Sequence, residues 1–404
     1  MAKFIVIGAG VVGVATAWQL CRAGHTVTLV DRNDGPSGGA SQRNGAQLSY
    51  SYCDALASPG LLARMPAILL GHDDAFRVKL QADPGFLLWG LRFLLNSSPR
   101  AFSRNTSALA SLAAATERLM PKLMAEFALA FDYAVAGKLV LCHSAESLAK
   151  ARATVKMKSA LGLEVELLTQ AEALRVEPAL QGYADAFAGA IHSPNDAVGS
   201  PSSFSEGLVA GLMARYGLRT LYRSEAREIV MKRGRVAGVA FRNNEMETCD
   251  GAIVATGYDT RLLGRRSALT EIWPVQGYST TVSAGPDAMR VSITDPTRRL
   301  VFARLGETIR IAGIADIGPR QFTFEQSRFE TLKRAAASAF PDRFDQISGE
   351  GWSDARPCTP SSQPHIGRAK TPGLYLNLGH GTLGWTLCLG SAERLATMIA
   401  DDRA

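Results

Sequence analysis

The sequence predicts an α/β fold built on two sheets, and three observations carry that prediction. First, residues 3–30 run strand, glycine turn, helix, strand within the length of one βαβ unit. Second, two later apolar runs, Gly251 to Ala255 and Leu374 to Leu378, also end in glycine turns. Third, 273–283 and 300–314 read as strands of a separate sheet, while 61–130 is Ala/Leu-rich and helical in spacing. Together these give a discontinuous Rossmann-type domain over 1–75, 195–262 and 352–404. An α+β domain with a mixed sheet takes 76–194 and 263–351.

Each element follows from local chemistry. Lys3 to Ile7 is a short apolar strand, Gly8-Ala9-Gly10-Val11-Val12-Gly13 the turn, Val14 to Ala23 a helix stopped by Gly24, and Thr26 to Val30 the next strand. A Gly/Ser-rich loop from Gly35 to Ser51 is long enough to be functional rather than connecting. Gly137 to Cys142 returns to strand, Ser200 to Tyr216 to helix, and Arg227 to Met231 and Val236 to Phe241 flank a basic turn. Glu325 to Phe340 has helical spacing, and the last 55 residues read as loop, short strand, glycine turn and helix. The run Phe86 to Leu95, about ten residues with one Arg, is expected to be a buried helix; the alternative is a surface that leans on a membrane.

Composition narrows the function classes. The 404 residues are 47% hydrophobic and 20% charged, so a fully ordered globular chain is expected. The net charge of +7 is scattered, with no basic run interleaved with aromatics, which argues against nucleic acid and fits anionic cofactors, carboxylates or an anionic lipid surface. Six dispersed cysteines without a C-x-x-C pair point to a reducing compartment. No run reaches the length of a spanning helix and no signal peptide pattern opens the chain, so the expected location is cytoplasmic, or peripheral on the inner face of a bacterial inner membrane. Six dispersed histidines without paired ligands argue against a metal.

The fingerprint Gly8-x-Gly10-x-x-Gly13 has a mechanism. Its glycines permit a tight turn, backbone approach to a pyrophosphate and close helix–strand packing, and the helix N-terminus presents free N–H groups. Asp31, 18 residues after Gly13 and closing the second strand, is placed to accept hydrogen bonds from a ribose. The fingerprint alone does not separate NAD from FAD. The stretch Asn377 to Thr386 does bear on the choice, because a second helix start there could stabilise negative charge on a reduced flavin, which an NAD enzyme would not need.

These motifs, with Asp31-Arg32, Asn44-Gly45-Ala46-Gln47, His192-Ser193-Pro194-Asn195-Asp196, Ala255-Thr256-Gly257, Gly277-Tyr278-Ser279, Arg356-Pro357-x-Thr359-Pro360 and Gly379-His380-Gly381-Thr382-Leu383-Gly384-Trp385, resemble the D-amino acid oxidase and glycine oxidase superfamily over nearly the whole length. Within it, the sequence is most similar to the bacterial D-amino acid dehydrogenase small-subunit type. The resemblance implies noncovalent FAD, oxidation of a small D-amino acid by hydride transfer to flavin N5, hydrolysis to a 2-oxo acid and ammonia, and electron delivery to a quinone or other acceptor. It implies that Gly8, Gly10, Val12, Gly13, Asp31 and Arg32 serve the ADP half of FAD. Ser41, Arg43, Asn44, Gly45, Gln47 and Leu48 would lie along flavin and pyrophosphate, and Ala226, Thr256 and Gly257 near the adenine. Gly379, Gly381, Thr382, Leu383, Gly384, Trp385 and Thr386 would meet the flavin ring, Arg356 the substrate carboxylate, and Tyr278 the substrate pocket.

The sequence departs from the subgroup at Thr359-Pro360-Ser361-Ser362, where Thr-Pro-Asp-Gly is usual, and it has no Cys where related oxidases attach flavin covalently. Plainer readings compete: Arg356 as a structural arginine in a proline-rich loop, Tyr278 as a strand aromatic, and either Tyr50 or Tyr52 as packing, with the other closing the pocket. His380 reads as a backbone or flavin contact rather than an acid–base group, and Arg304 as a candidate second anion contact. Competing activities are oxidation of hydroxyproline, glycine or another secondary or small amine acid, an NAD(P)-dependent dehydrogenase, and a flavin subunit that only relays electrons.

Overall fold

A computed structural model describes residues 1–264, 272–285 and 288–402. Its first sheet has six strands in the order His365–Arg368, Leu374–Leu378, Gly251–Val254, Lys3–Ile7, Thr26–Val30 and Arg219–Leu221. Lys3–Ile7 lies near the middle and runs parallel to both neighbours, with Ile5 opposite Thr28 on one side and Ala252 on the other. Only His365–Arg368 runs antiparallel to its neighbour. The inner strands Lys3–Ile7, Thr26–Val30 and Gly251–Val254 are rich in Val, Ile and Leu because both their faces are covered, as parallel sheets require. On one face the helices Val11–Arg22, Pro201–Tyr216 and Gly384–Asp401 bring Trp18, Phe204, Leu208 and Trp385 into one cluster. On the other, a three-stranded antiparallel sheet over 226–248 packs Val236, Val239 and Phe241 against Ile5, Val254 and Leu376. Burying each of these large apolar side chains contributes roughly 1.5–3 kcal/mol.

The second sheet is mixed and larger. Its path is Trp352–Cys358, Trp273–Ser283, Thr308–Ile317, Leu300–Leu305, Ser292–Asp295, Lys138–Cys142, Gly189–Ser193 and Glu166–Thr169, with Phe76–Val78 pairing in parallel to the end of Thr308–Ile317. Ser292–Asp295 is parallel to Lys138–Cys142, and the other pairings along the path are antiparallel. The helix Gln326–Ala339 lies over one face, where Leu332 and Phe329 join Phe302, Ile309, Ile311 and Phe340 in a core.

Several sequence expectations change in detail. The stretch 300–314 is not one strand but a hairpin, turning at Gly306, whose φ of 55° supplies the left-handed turn. The tail expected as loop contains two strands, Trp352–Cys358 and His365–Arg368, and the first of them pairs with the mixed sheet rather than the parallel one. The helix expected from Val14 begins at Val11, directly on the glycine turn. The run Phe86 to Leu95 is helical, within Pro84–Asn96, with Asp83 accepting from the N–H groups of Gly85 at 2.6 Å and Phe86 at 3.2 Å. It is not a buried helix, however, because Phe86, Trp89 and Phe93 point inward and its leucines are exposed. All six cysteines are free and buried.

Candidate active site

A cavity of about 740 Å3 runs between the two sheets, walled by residues from both. Its first end is the glycine turn. A Cβ on Gly8 would stand 2.5 Å from the Ala255 carbonyl oxygen, and one on Gly13 only 1.8 Å from that of Gly8, so strand and helix approach as closely as glycine alone allows. Asp31 closes the next strand, and its carboxylate accepts from the N–H of Ala9 at 2.6 Å and of Asn33 at 2.9 Å. That fixes an acid at the lip of the turn. Gly8, Gly10, Val12, Asp31, Arg32, Ala226, Thr256 and Gly257 all border the cavity. Gly13 lies behind it, acting through packing, and Arg32 reaches out to Asp259 at 3.3 Å.

The middle of the cavity is the loop Ser41 to Ser49, held from several sides. Ser41 Oγ accepts from the Val11 N–H at 3.1 Å; Asn44 Oδ1 accepts from the Ala46 N–H at 2.8 Å, where Ala46 adopts φ 58°. Ser279 Oγ donates to the Arg43 carbonyl at 2.5 Å and Arg310 to that of Asn44 at 2.7 Å, which seats the loop on the mixed sheet. Ser49 N–H donates to Thr386 Oγ1 at 3.0 Å, tying the loop to the last helix. Ser41, Arg43, Asn44, Gly45 and Gln47 border the cavity, whereas Leu48 turns into the core beside Trp18 and Phe204.

The far end is the turn Leu378 to Thr386. Gly379 and Gly381 have φ of 84° and 56°, and the helix Gly384–Asp401 that follows has no side-chain cap. Gly379, Gly381, Thr382, Leu383, Gly384, Trp385 and Thr386 all border the cavity, so the open helix start adjoins it. Trp385 is anchored away from it by donation to the Gly199 carbonyl at 3.1 Å and an edge contact with Phe204. His380 is buried with Nε2 unpartnered among the described residues, and burial lowers its pKa to about 3, so it is neutral at ordinary pH. The glycine cradle, the open helix start and the cavity volume fit a dinucleotide with a flavin-sized head.

Arg356 lies against this end. Its Nη1 donates to the Ile314 carbonyl at 3.0 Å, and a Cβ on Gly277 would stand 2.2 Å from its Nη2. The guanidinium therefore crosses the strand Trp273–Ser283 where that strand has no side chain. It makes no ion pair among the described residues, and burial depresses its pKa. Tyr278 borders the cavity as expected, and its ring also joins the core with Phe329 and Leu332. Strand alternation sets this: Gly277 and Ser279 turn toward Arg356 and the Arg43 loop, and Tyr278 takes the other face of the strand.

Of the two tyrosines after the loop, Tyr50 is core and Tyr52 borders the cavity. Tyr52 is clasped between two ammonium groups, Lys138 at 5.0 Å and Lys158 at 4.0 Å from its ring. Lys158 pairs with Asp54 at 2.9 Å. Lys138, which also borders the cavity, has no carboxylate partner among the described residues; it donates to Gln47 Oε1 at 3.1 Å and Ser49 Oγ at 2.7 Å, and burial lowers its pKa to about 8. Behind them Asp196 accepts from the Ser51 N–H at 2.8 Å, its pKa raised to about 6 by burial. Of this cluster the sequence pointed to Tyr52, Gln47 and Asp196 but not to Lys138 or Lys158, although a lysine opening the buried strand Lys138–Cys142 is the kind of misplaced polar residue that signals a site. Arg304 is no anion contact here, since it folds back onto the Gly306 carbonyl. No group of ligating side chains that could hold a metal occurs among the described residues.

Comparison with known proteins agrees with this geometry. A family model described as FAD dependent oxidoreductase (DAO) matches residues 3–398. The chain is 38% identical to D-amino acid dehydrogenase 2 of Ralstonia nicotianae, over 98% of this chain and 96% of that protein, and 34% identical to the D-amino acid dehydrogenase of Sinorhizobium medicae, over 99% and 96%. Among solved structures, the glycine oxidase of Bacillus cereus superposes with a TM-score of 0.74 at 18% identity, covering 100% of this chain and 96% of that one. The L-proline dehydrogenase of P. horikoshii gives 0.78 at 16%, covering 99% and 94%. At those identities the structures speak for the fold alone.

Proposed function

The chain belongs to the DAO family of FAD-dependent oxidoreductases, and from that premise we propose that it oxidises the α-carbon–nitrogen bond of a D-amino acid. The substrate loses two hydrogens and becomes an imino acid, which water hydrolyses to a 2-oxo acid and ammonia. The observation that carries this reading is Arg356: a half-buried guanidinium at the cavity wall with no protein counter-ion among the described residues, suited to a substrate carboxylate.

FAD, when bound, supplies the two-electron acceptor. The rest falls to the chain's own groups. Arg356 holds the carboxylate in one plane and so selects which face of the α-carbon is presented. The N–H groups at the start of Gly384–Asp401 offer positive charge to that end of the cavity. Lys138, with its lowered pKa, is the group beside Tyr52 able to hold or release a proton at Nζ near neutral pH, whereas neutral His380 is not.

On this reading 1–75, 195–262 and 352–404 hold FAD noncovalently and 76–194 and 263–351 cover the substrate, the strand Trp352–Cys358 being shared. Electrons leave to a quinone or other acceptor, with the protein peripheral on the inner face of the membrane; no helix among the described residues is long and apolar enough to cross one. The test is an anaerobic absorption spectrum of the FAD-loaded protein before and after D-alanine, D-proline and glycine. Bleaching of the flavin band by D-alanine supports the reading; bleaching by glycine or D-proline only assigns a small or secondary amine acid; no bleaching by any of a full D-amino acid panel sinks it.

A further inference from the structure

The strand Thr308–Ile317 breaks its pairings at one place. Its ladder with Leu300–Leu305 ends where Gly313 faces Leu300, and its ladder with Trp273–Ser283 shifts register between Gln276 and Tyr278. Its pairing with Phe76–Val78 begins only at Ala315. Ile314 falls in the gap of all three at φ 59°, and Arg299, the residue before Leu300, is also left-handed at φ 53°. Such a backbone is uncommon outside glycine and an outlier for a β-branched residue, and strain of this kind gathers at sites that need it. Here each kink accompanies a guanidinium. The carbonyl that Ile314 turns out of the ladders accepts from Arg356, and Arg299 lays its guanidinium 5.0 Å from the centre of the Phe76 ring, on the residue paired with Ala315. Arg299, Phe76, Ile314 and Arg356 all border the cavity.

Arg299 shares its one ion-pair partner among the described residues. Asp73 stands 3.7 Å away and is already held by Arg64 at 2.9 Å and by the N–H groups of Ala75 and Phe76 at 3.1 Å. Arg299 Nε is buried with no hydrogen-bond partner among the described residues. The rest of this wall supplies no anion. Asp54 is paired with Lys158 at 2.9 Å, Asp354 faces Gly39 in the loop after the second strand, and Lys138 is bound only to the neutral Gln47 and Ser49 side chains. One substrate carboxylate on Arg356 leaves Arg299 cationic at the same wall, where a charge without a full partner is costly. A second carboxylate removes that cost.

We propose that Arg299 binds a second anionic group, carried on the substrate's side chain, and that the preferred substrates are the dicarboxylic D-amino acids, D-glutamate and D-aspartate. This rests on the D-amino acid reading, with Arg356 taking the α-carboxylate. The sequence offered Arg304 as the second anion contact; Arg299 is the residue on the cavity wall that can serve as one. A guanidinium fork favours a carboxylate over the matching carboxamide, which carries no charge and turns an NH2 donor toward the N–H groups. Lysine-like or arginine-like side chains are repelled.

The test uses the full-length FAD-loaded protein and a soluble electron-accepting dye. kcat/KM is measured for D-glutamate and D-aspartate against their amides, D-glutamine and D-asparagine. Binding of glutarate, which has no amine to oxidise, is compared with that of butyrate through the perturbation of flavin absorption. At least one acid is expected to exceed its amide tenfold or more, and glutarate to bind at least tenfold more tightly than butyrate. Arg299→Gln should remove both preferences. Arg299→Lys, which keeps the charge, should keep the acid ahead of the amide, separating loss of the anion contact from disturbance around Asp73. Amides oxidised as well as the acids by the wild type, or an Arg299→Gln protein that loses acid and amide equally, overturns the inference and leaves the D-amino acid reading standing. Arg299-dependent glutarate binding without turnover of any D-amino acid sinks that reading and leaves the second anion site in place.

Discussion

Arg356 and Gly277 form a unit, because the guanidinium occupies the space a side chain at 277 would need. Arg356→Ala should raise KM for the amino acid by about two orders of magnitude, ~3 kcal/mol, with FAD retained. Gly277→Ala should raise KM in the same direction by displacing the guanidinium, and steady-state kinetics with flavin content checks both; unchanged KM in Arg356→Ala would remove the carboxylate role. Lys138 gives a pH signature. Its folded pKa of about 8 lies below the ordinary lysine value of 10.5, so the unfolded chain binds more protons between those limits, and stability rises with pH across that window. Lys138→Met should abolish that rise, about 3 kcal/mol at most, in denaturant melts of the two proteins at pH 8 and pH 10. The place of Arg356 on the cavity wall was legible because its motif, Arg-Pro-x-Thr-Pro, is contiguous. Lys138 was not, since its meaning comes from Gln47, Ser49 and Tyr52, which only the fold brings beside it. Tyr278 was legible only in part: its motif is visible in sequence and it borders the cavity, but which face of the strand it takes depends on where its neighbours turn.

At the scale of elements, the glycine turn and its helix are the most constrained pair. A methyl group at Gly13 has only the Gly8 carbonyl to displace, so Gly13→Ala should cost about 1–3 kcal/mol of stability and most of the FAD affinity, read as a lower Tm and colourless protein. A fully flavinated Gly13→Ala protein with wild-type Tm would contradict that close packing. The parallel strands were readable because both faces are covered and their sequences are nearly unbroken Val, Ile and Leu. Trp352–Cys358 was unreadable because it mixes Ser, Asp, Arg and Pro. The Leu300–Ile317 hairpin turns within two residues, Gly306 and Glu307, too short an interruption to split the strand pattern. Pro84–Asn96 shows the limit of periodicity: with apolar residues on every side, its spacing names a helix without saying which side is covered.

Across the whole molecule, the cavity is walled by both sheets, so filling it should couple them. FAD at a hundred times its Kd should add about 2.7 kcal/mol to stability, and Tm against FAD concentration measures it. The six free cysteines make that coupling countable. They are distributed from Cys21 to Cys388 across both halves, all are buried, and burial pushes the thiols of Cys21, Cys53 and Cys358 up to about 12 and that of Cys249 to about 11. An aromatic disulfide reagent should find none of them in the native protein and all six after unfolding. The thiols thus act as internal clocks, each reporting how often its own neighbourhood opens. Cys358, beside Arg356, and Cys388, in the helix that starts at the cavity, should slow most when FAD is added, while Cys249, outside the cavity wall, should keep nearly its original pace.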